Sequence, residues 1–437
     1  MHASFVSLRG SRVLRAGILS AVFLLVVLAL SASEFSRRWF SADTESVALV
    51  GNASPPTFFY LPANPADLDL YASEAVLIDV DSNTILYSHG EGEVRSLASL
   101  TKLVTMYAIL DLVENGDVSL DERVEPVPAA FWSAMPPRSS VLFLGVDQQV
   151  RIETLMLGLS IASGNDAATA LAYHIDGSVP RFARRMETLL GDIGLESHSF
   201  SEPSGIEAAN RATAADFARF VAHYLRRFPD APARYHSVPS LTFPTADDYG
   251  NRWTPASIIH VNRNLLLRDY AYANGLKTGF TFSAGYNLAA SAERDGRRIA
   301  AVILGVDAPN ARIGSRRRTD DAITLFNHGF DSYVARTPRV PELQPVRVRG
   351  GENVEIVPQV IVPELLLPRE DEAFLSSEVT VSRYVVAPVQ EGQIIGEINY
   401  SVRGERVLTI PVFARDFVPA AAGPRAVVER FAARVGL

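Results

Sequence analysis

Two short apolar runs, EAVLIDV from Glu74 and TILYSH from Thr84, are separated by Asp81, Ser82 and Asn83. Runs of this length around a cluster of turn formers predict two strands joined by a tight turn. From Ser99 to Glu114 the apolar spacing lengthens to three and four, through Leu100, Leu103, Val104, Tyr107 and Ala108, which predicts a helix. Two more apolar helices are expected over Arg151–Leu159 and Ala167–His174, parted by Ser163-Gly164-Asn165-Asp166. Ala214–Arg226 repeats the helical period, with Thr213 placed to cap its first turn. Past Gly275 the pattern returns to strands. Tyr286–Glu293 and Arg298–Val306 flank Arg294-Asp295-Gly296, where Asp-Gly favours a hairpin turn. Asp320–Phe330 then reads as a closing helix. Helices bracketed by early and late strands predict an α+β unit, a helical cluster packed on an antiparallel sheet.

The character changes beyond about residue 338. Val346–Phe413 carries short apolar strands, prolines and turn formers without a helical period, which predicts a small all-β domain. Arg425–Val435 regains the period. Val427, Val428, Phe431, Ala432 and Val435 share one face, with Arg425, Glu429, Arg430 and Arg434 at its edges and back. Such a helix either rests on a membrane surface or docks on the β domain. At the other end Arg9, Arg12 and Arg15 precede an apolar run from Ala16 to Leu30, then Ser31-Ala32-Ser33. This is the pattern of an export signal, cleaved near Ala29 to Ser33 or kept as an anchor. The expected organisation is a signal over 1–33, a linker over 34–68, the α+β domain over 69–337, the β-rich domain over 338–415 and a tail over 416–437.

Composition narrows the function classes. With 437 residues, 48% hydrophobic and 21% charged, the chain has material for two folded domains. A formal charge of −8 supplies no basic surface for tracking phosphates, so nucleic acid is not an expected partner. Cysteine is absent, which excludes disulfides, thiolate nucleophiles and cysteine-held zinc. The eight histidines include no His-Glu-x-x-His arrangement, and no metal or other cofactor is expected. The informative count is of lysine. Of 41 basic residues only Lys102 and Lys277 are lysine, and all the others are arginine. Arginine serves wherever a fixed charge is enough, but it does not give up its proton. Lysine does, and it presents a compact point charge. Two positions that keep an ammonium in so arginine-rich a chain are candidates for chemistry.

Both lysines fall in short motifs: Ser99-Leu100-Thr101-Lys102 and Lys277-Thr278-Gly279, with Ser163-Gly164-Asn165 between them in the chain. At the start of a helix residues i and i+3 share a face, so Ser99 Oγ and Lys102 Nζ can meet. A serine nucleophile needs an adjacent base, and a neutral lysine can serve. Lys102 must then lose its proton near neutral pH, which burial and a second cation, Lys277, both favour. Thr278 and Gly279 suit an exposed strand edge where a substrate backbone pairs closely. Ser163 can relay a proton to a leaving amine, and the Asn165 amide can orient a peptide. The backbone N–H groups of Ser99 and Phe280 are the expected oxyanion hole.

With these motifs in order, ASLTKLVTMYAI, IASGNDAATALA and GLKTGFTFSAGYNLAAS, the chain resembles the penicillin-binding protein 5 type of D-alanyl-D-alanine carboxypeptidase over about residues 70 to 415. The segment VAPVQEGQIIGEINY, from Val386, is similar to the β-rich carboxy-terminal domain of that family. The resemblance implies a β-lactamase/transpeptidase-like catalytic domain with Ser99 acylated, Lys102 the proton acceptor, Ser163 the second active serine and Asn165 and Lys277 substrate contacts. It also implies Arg263 and Arg318 as partners of a substrate carboxylate. The substrate implied is a peptidoglycan stem peptide ending in D-Ala-D-Ala, with β-lactams as covalent inhibitors. The place of action implied is the periplasm or the outer face of the bacterial cytoplasmic membrane. Two departures stand out: Leu97-Ala98 replaces a frequent Pro before the nucleophile, and Phe280 replaces a frequent His after the third motif. A D,D-endopeptidase uses the same residues and is the nearest rival. A class A β-lactamase needs a deacylating Glu-x-x-Leu-Asn, and Glu196, Glu202 and Glu207 do not provide it. A non-catalytic peptidoglycan-binding protein would have no need of four intact catalytic positions.

Overall fold

The structure of the protein is a computed structural model in which residues 58–59, 67–90, 92–124, 136–137, 139–145, 148–250 and 256–434 are described. The expected signal over 1–33, and most of the expected linker over 34–68, lie outside the described residues. Among the described residues no helix is long and apolar enough to cross a membrane.

Strands β1 (Glu74–Asp79) and β2 (Ile85–His89) form the expected hairpin, with Asn83 at φ 62° in its turn. A short 3₁₀ turn, Ala98–Leu100, leads into α1 (Thr101–Glu114). Helix α2 (Ile152–Leu157) widens into a π turn over Gly158–Ala162, and α3 (Asn165–Asp176) starts at Asn165 itself, so the second motif is the link between them. Helix α4 (Val179–Asp192) was not foreseen from the pattern. Phe182, Ala183, Met186 and Leu190 are its buried stripe, and Arg181, Arg184 and Arg185 break up the apolar period along the sequence. Helix α5 (Ala214–Arg227) has the expected cap, with Thr213 Oγ1 accepting the Asp216 N–H at 3.1 Å. Three strands follow, β3 (Ala273–Thr281), β4 (Gly285–Arg294) and β5 (Arg297–Val306), with Asp295 and Gly296 both left-handed in the β4–β5 turn. Helix α6 (Ala311–Ser332) starts at Ala311 rather than Asp320. Asn310 caps it, and the charged run through Arg316, Arg317 and Arg318 hides its first turns from an apolar count.

The central sheet has the order β3-β4-β5-β1-β2 and every pairing is antiparallel. Alternation along its inner strands serves two cores at once. Val76, Ile78, Ala300, Val302 and Leu304 face the helical cluster of α1, α3 and α5. Ala75, Leu77, Ile299, Ala301 and Ile303 face α6 through Ala322, Leu325 and Phe326. Because β3 is an edge strand, one side of it is left open beside the helical cluster.

A small sheet follows the α+β part. β6 (Tyr333–Arg336) pairs antiparallel with β7 (Leu365–Pro368), and Phe58–Phe59 pair parallel with the other side of β7. The segment read as a linker therefore contributes backbone pairing. Leu366 belongs to the core under α6, whereas Leu365 and Leu367 pack with Val334 and Val402. β8 (Leu375–Val381), β9 (Ile394–Val402) and β10 (Glu405–Ala414) form the β-rich region, whose core includes Val348, Ile398, Tyr400 and Ile410. Helix α7 (Pro424–Arg434) closes the described chain.

Candidate active site

The nucleophile turn is held under strain and from three sides. Ala98, immediately before Ser99, has φ 48°, a left-handed backbone that costs a residue with a Cβ about 1–2 kcal/mol. Leu97 N–H donates to Asn210 O at 2.9 Å, and Asn287 Nδ2 donates to Ser96 O at 2.9 Å. A Cβ on Gly205, itself at φ 80°, would lie 1.8 Å from Ala98 O. A Cβ on Gly279 would lie 3.0 Å from Leu97 O and 3.2 Å from Ser99 N. Gly279 was expected to make room for a substrate backbone. Its bare Cα also makes room for the nucleophile turn, and that close approach runs β3 alongside the Ser99 N–H.

Lys102, the second residue of α1, is fully buried. Its Nζ lies 3.1 Å from Ser99 Oγ, 2.7 Å from Asn165 Oδ1 and 2.5 Å from Ser204 O. Burial lowers its pKa to about 7, against an upward pull from the Glu202 and Asp166 carboxylates. Desolvation prevails over those two carboxylates. Lys277 is 2% exposed, and burial holds its pKa well below the ordinary lysine value, with Lys102, Arg318 and Arg263 adding to the effect. Its Nζ donates to Thr278 O at 2.8 Å. Below it His236 is buried, and burial reinforced by Lys277 lowers its pKa to about 3. The neutral ring lies between Ser160 Oγ (3.2 Å) and Tyr224 OH (2.8 Å).

Ser163 sits at φ 57° between the π turn and α3, a left-handed position that places it beside Asn165. Asn165 spends its Oδ1 on Lys102 and keeps its amide donors for another partner. Thr278 is half-buried and Phe280 is exposed on the edge strand. The Phe280 ring stacks on Tyr286 at 4.3 Å, on the α6 face of the sheet, so only its backbone is offered to the nucleophile side. Arg318 lies behind that strand. It is 5% exposed and donates to Gly279 O (3.0 Å) and Asn287 O (3.1 Å), and burial lowers its pKa to about 10. It therefore braces β3 and adds positive charge from the rear. Arg263 is exposed and close enough to act electrostatically on Lys277.

Sequence reasoning missed the support for this centre. Glu202 accepts from Ser204 N (2.7 Å), Ser204 Oγ (2.6 Å), Gly205 N (2.6 Å) and Asn210 Nδ2 (2.9 Å). It thereby folds the turn that delivers Ser204 O to Lys102. Thr105 Oγ1 ties Pro203 O to α1 at 2.6 Å. Asp166, fully buried, accepts three successive N–H groups from Leu142 to Leu144. The one available signal was adjacency: Asp166 follows Asn165 in the second motif. Nothing in its spacing sets Glu202 apart from other loop carboxylates.

The arrangement sets a serine hydroxyl beside an amine that can take its proton, with backbone N–H groups on one side and cations at the far end. The family described as D-alanyl-D-alanine carboxypeptidase matches residues 62–308, and the penicillin-binding protein 5 C-terminal domain matches residues 340–420. D-alanyl-D-alanine carboxypeptidase DacD of Salmonella typhimurium is 33% identical over 377 residues, 82% of this chain and 88% of that protein. DacF of Bacillus subtilis is 28% identical over 350 residues, 79% of this chain and 85% of that one. The crystal structure of penicillin binding protein 5 from Haemophilus influenzae matches with a TM-score of 0.66 at 27% identity, over 82% of this chain and 100% of that one.

Proposed function

The chain belongs to the D-alanyl-D-alanine carboxypeptidase family of serine-type hydrolases, and from that premise we propose that Ser99 is the acylated residue and Lys102 its base. The observation that carries the assignment is the contact of Ser99 Oγ with a fully buried amine whose pKa is about 7. Lys102 takes the Ser99 proton as Oγ attacks the carbonyl of the terminal D-Ala–D-Ala bond. The oxyanion accepts from the Ser99 and Phe280 N–H groups. Ser163 relays that proton from Lys102 to the leaving D-Ala amine, which leaves Lys102 neutral again and Ser163 as a hydroxyl. Water then hydrolyses the acyl-serine and restores both groups. Asn165 orients the acyl-side amide through its free donors. Lys277, with Thr278 and Arg263, receives the substrate carboxylate. Gly279 lets β3 run close to the nucleophile turn and a substrate backbone, and Arg318 braces the strand from behind.

A β-lactam presents its strained amide to the same serine, in keeping with the penicillin-binding relative. Intact-protein mass spectrometry after benzylpenicillin tests the assignment. We expect one adduct on the wild type and none on Ser99→Ala, and an unmodified wild type would refute it. Rapid turnover of the adduct would mark a β-lactamase instead. The D,D-endopeptidase alternative is separated by assaying a stem pentapeptide beside cross-linked muropeptides, and the C-terminal domain match favours the pentapeptide. We also read the catalytic domain as 69–337 and the β-rich domain as 338–415. The basic and apolar pattern of residues 9–33 supports export to the periplasm or the outer face of the cytoplasmic membrane.

A further inference from the structure

His236 is fully buried, within reach of the Lys277 charge, and takes no part in the reaction above. It ends a π turn over Pro232–His236, and its neighbours belong to three separate parts of the centre. The first is the π turn over Gly158–Ala162, whose Ser160 Oγ lies 3.2 Å from His236 Nδ1. Ser160 is the one residue of that turn with a side chain able to hydrogen-bond, and Ser163 follows the turn directly. The second part is β3. A Cβ on Gly275 would lie 2.9 Å from His236 Cβ, so a glycine lets the strand approach two residues before Lys277. The third is the carboxylate end, where His236 O accepts from Asn262 Nδ2 at 3.0 Å, next to Arg263. On its remaining side, Nε2 lies 2.8 Å from Tyr224 OH of α5. Burial holds the Tyr224 hydroxyl well above its ordinary pKa, so it keeps its proton and donates to Nε2. The neutral ring then carries its own N–H at Nδ1, which faces Ser160 Oγ.

We propose that His236 is a positioning residue: through Ser160 it fixes the π turn that leads into Ser163 against the strand that carries Lys277. A π turn is a rare departure from the helical ladder, found mostly where function asks for it. This one delivers the relay serine. The relay needs Ser163 beside the leaving amine while Lys277 holds the carboxylate of the same D-Ala, so the spacing of the two side chains has to match one small residue. They come from elements remote in sequence, and misplacement by an ångström is enough to cost about 100-fold in rate. A neutral imidazole suits the position. It offers one donor and one acceptor in a fixed plane, whereas a second cation under Lys277 would be repelled by it. This inference rests on the Ser163 relay in the proposed reaction.

Ser160→Ala is the informative variant, because it cuts the bond to the π turn and leaves the His236–Tyr224 pair in place. Stopped-flow acylation over a range of benzylpenicillin concentrations separates the dissociation constant of the first complex from the acylation rate constant. We expect the rate constant to fall roughly three- to thirtyfold, a fraction of what an ångström costs, and the dissociation constant to change by less than about twofold. Tyr224→Phe removes a hydrogen bond from the same ring on the side away from Ser163. It should lower the melting temperature yet acylate within about twofold of the wild-type rate. In a Ser163→Ala background no relay is left to position, so adding Ser160→Ala should cause no further loss. A wild-type rate in Ser160→Ala, an effect confined to the dissociation constant, an equal rate loss in Tyr224→Phe, or a full further loss in the Ser163→Ala background would each overturn the proposal. Ser163→Ala acylating as fast as the wild type would instead overturn the relay on which it rests.

Discussion

Lys102 has three oxygen neighbours, and that number suits both of its protonation states. An ammonium donates to all three. A neutral amine donates to Asn165 Oδ1 and Ser204 O and accepts from the Ser99 hydroxyl, so losing the proton leaves no partner unsatisfied. Because the neutral form is the base, acylation by benzylpenicillin should rise with pH through an apparent pKa of about 7. A rate flat between pH 5.5 and 8.5 would contradict the assignment. The same shift bears on stability. Between about pH 7 and 10.5 the unfolded lysine holds a proton that the folded one has lost, so this residue's contribution to stability rises with pH across that window. Lys102→Arg keeps a charge but no base and should lower acylation by on the order of 10²–10⁴. Lys277→Arg should retain a measurable fraction, since it only has to meet a carboxylate, and stopped-flow acylation rates compare the two. The motifs made both lysines legible. Their electrostatics were not, because desolvation and the reach of Glu202 and Asp166 depend on chain segments that meet only in the fold.

At the scale of elements, the local signals that worked were self-contained: the Thr213 cap, the Asp295-Gly296 turn and the apolar period of α1 each act within a few residues. Helices α4 and α6 were missed or shortened because charged residues fill the positions between their buried ones. What places the nucleophile is contact between elements remote in sequence. Gly205 shows this, since its missing Cβ is the space that Ala98 O occupies. Gly205→Ala combines an unfavourable φ with overpacking and should destabilise the protein by on the order of 2–5 kcal/mol. Displacing the turn by even an ångström should also cost about 100-fold in acylation rate. Thermal melts and adduct kinetics on the purified variant check both, and a variant that acylates like the wild type would show the turn to be less constrained than described.

At the scale of the whole molecule, the α+β and β-rich regions are stitched by β7, whose alternate leucines enter two different clusters. The tail helix α7 does something neither sequence alternative described alone. Glu429 accepts from Gly350 N at 3.3 Å, and Arg430 donates to Gly350 O (2.8 Å) and Ala421 O (2.9 Å). The helix is therefore docked on the β-rich region by its polar edge. Val427, Val428 and Phe431 remain 54%, 65% and 68% exposed. That leaves the apolar face available to a membrane surface. Full-length protein should co-sediment with anionic liposomes, and deletion of residues 424–437 should reduce the bound fraction several-fold; equal binding would leave the helix with a docking role only. The sequence by itself determined the α+β class, the three motifs and the two lysines that chemistry requires, because periodicity and short spacings act through neighbouring residues. Only the tertiary structure decided that burial frees the Lys102 proton and that Gly205 and Gly279 make room for the nucleophile turn. Each of those depends on desolvation or contact between segments far apart in the chain, which no local pattern encodes.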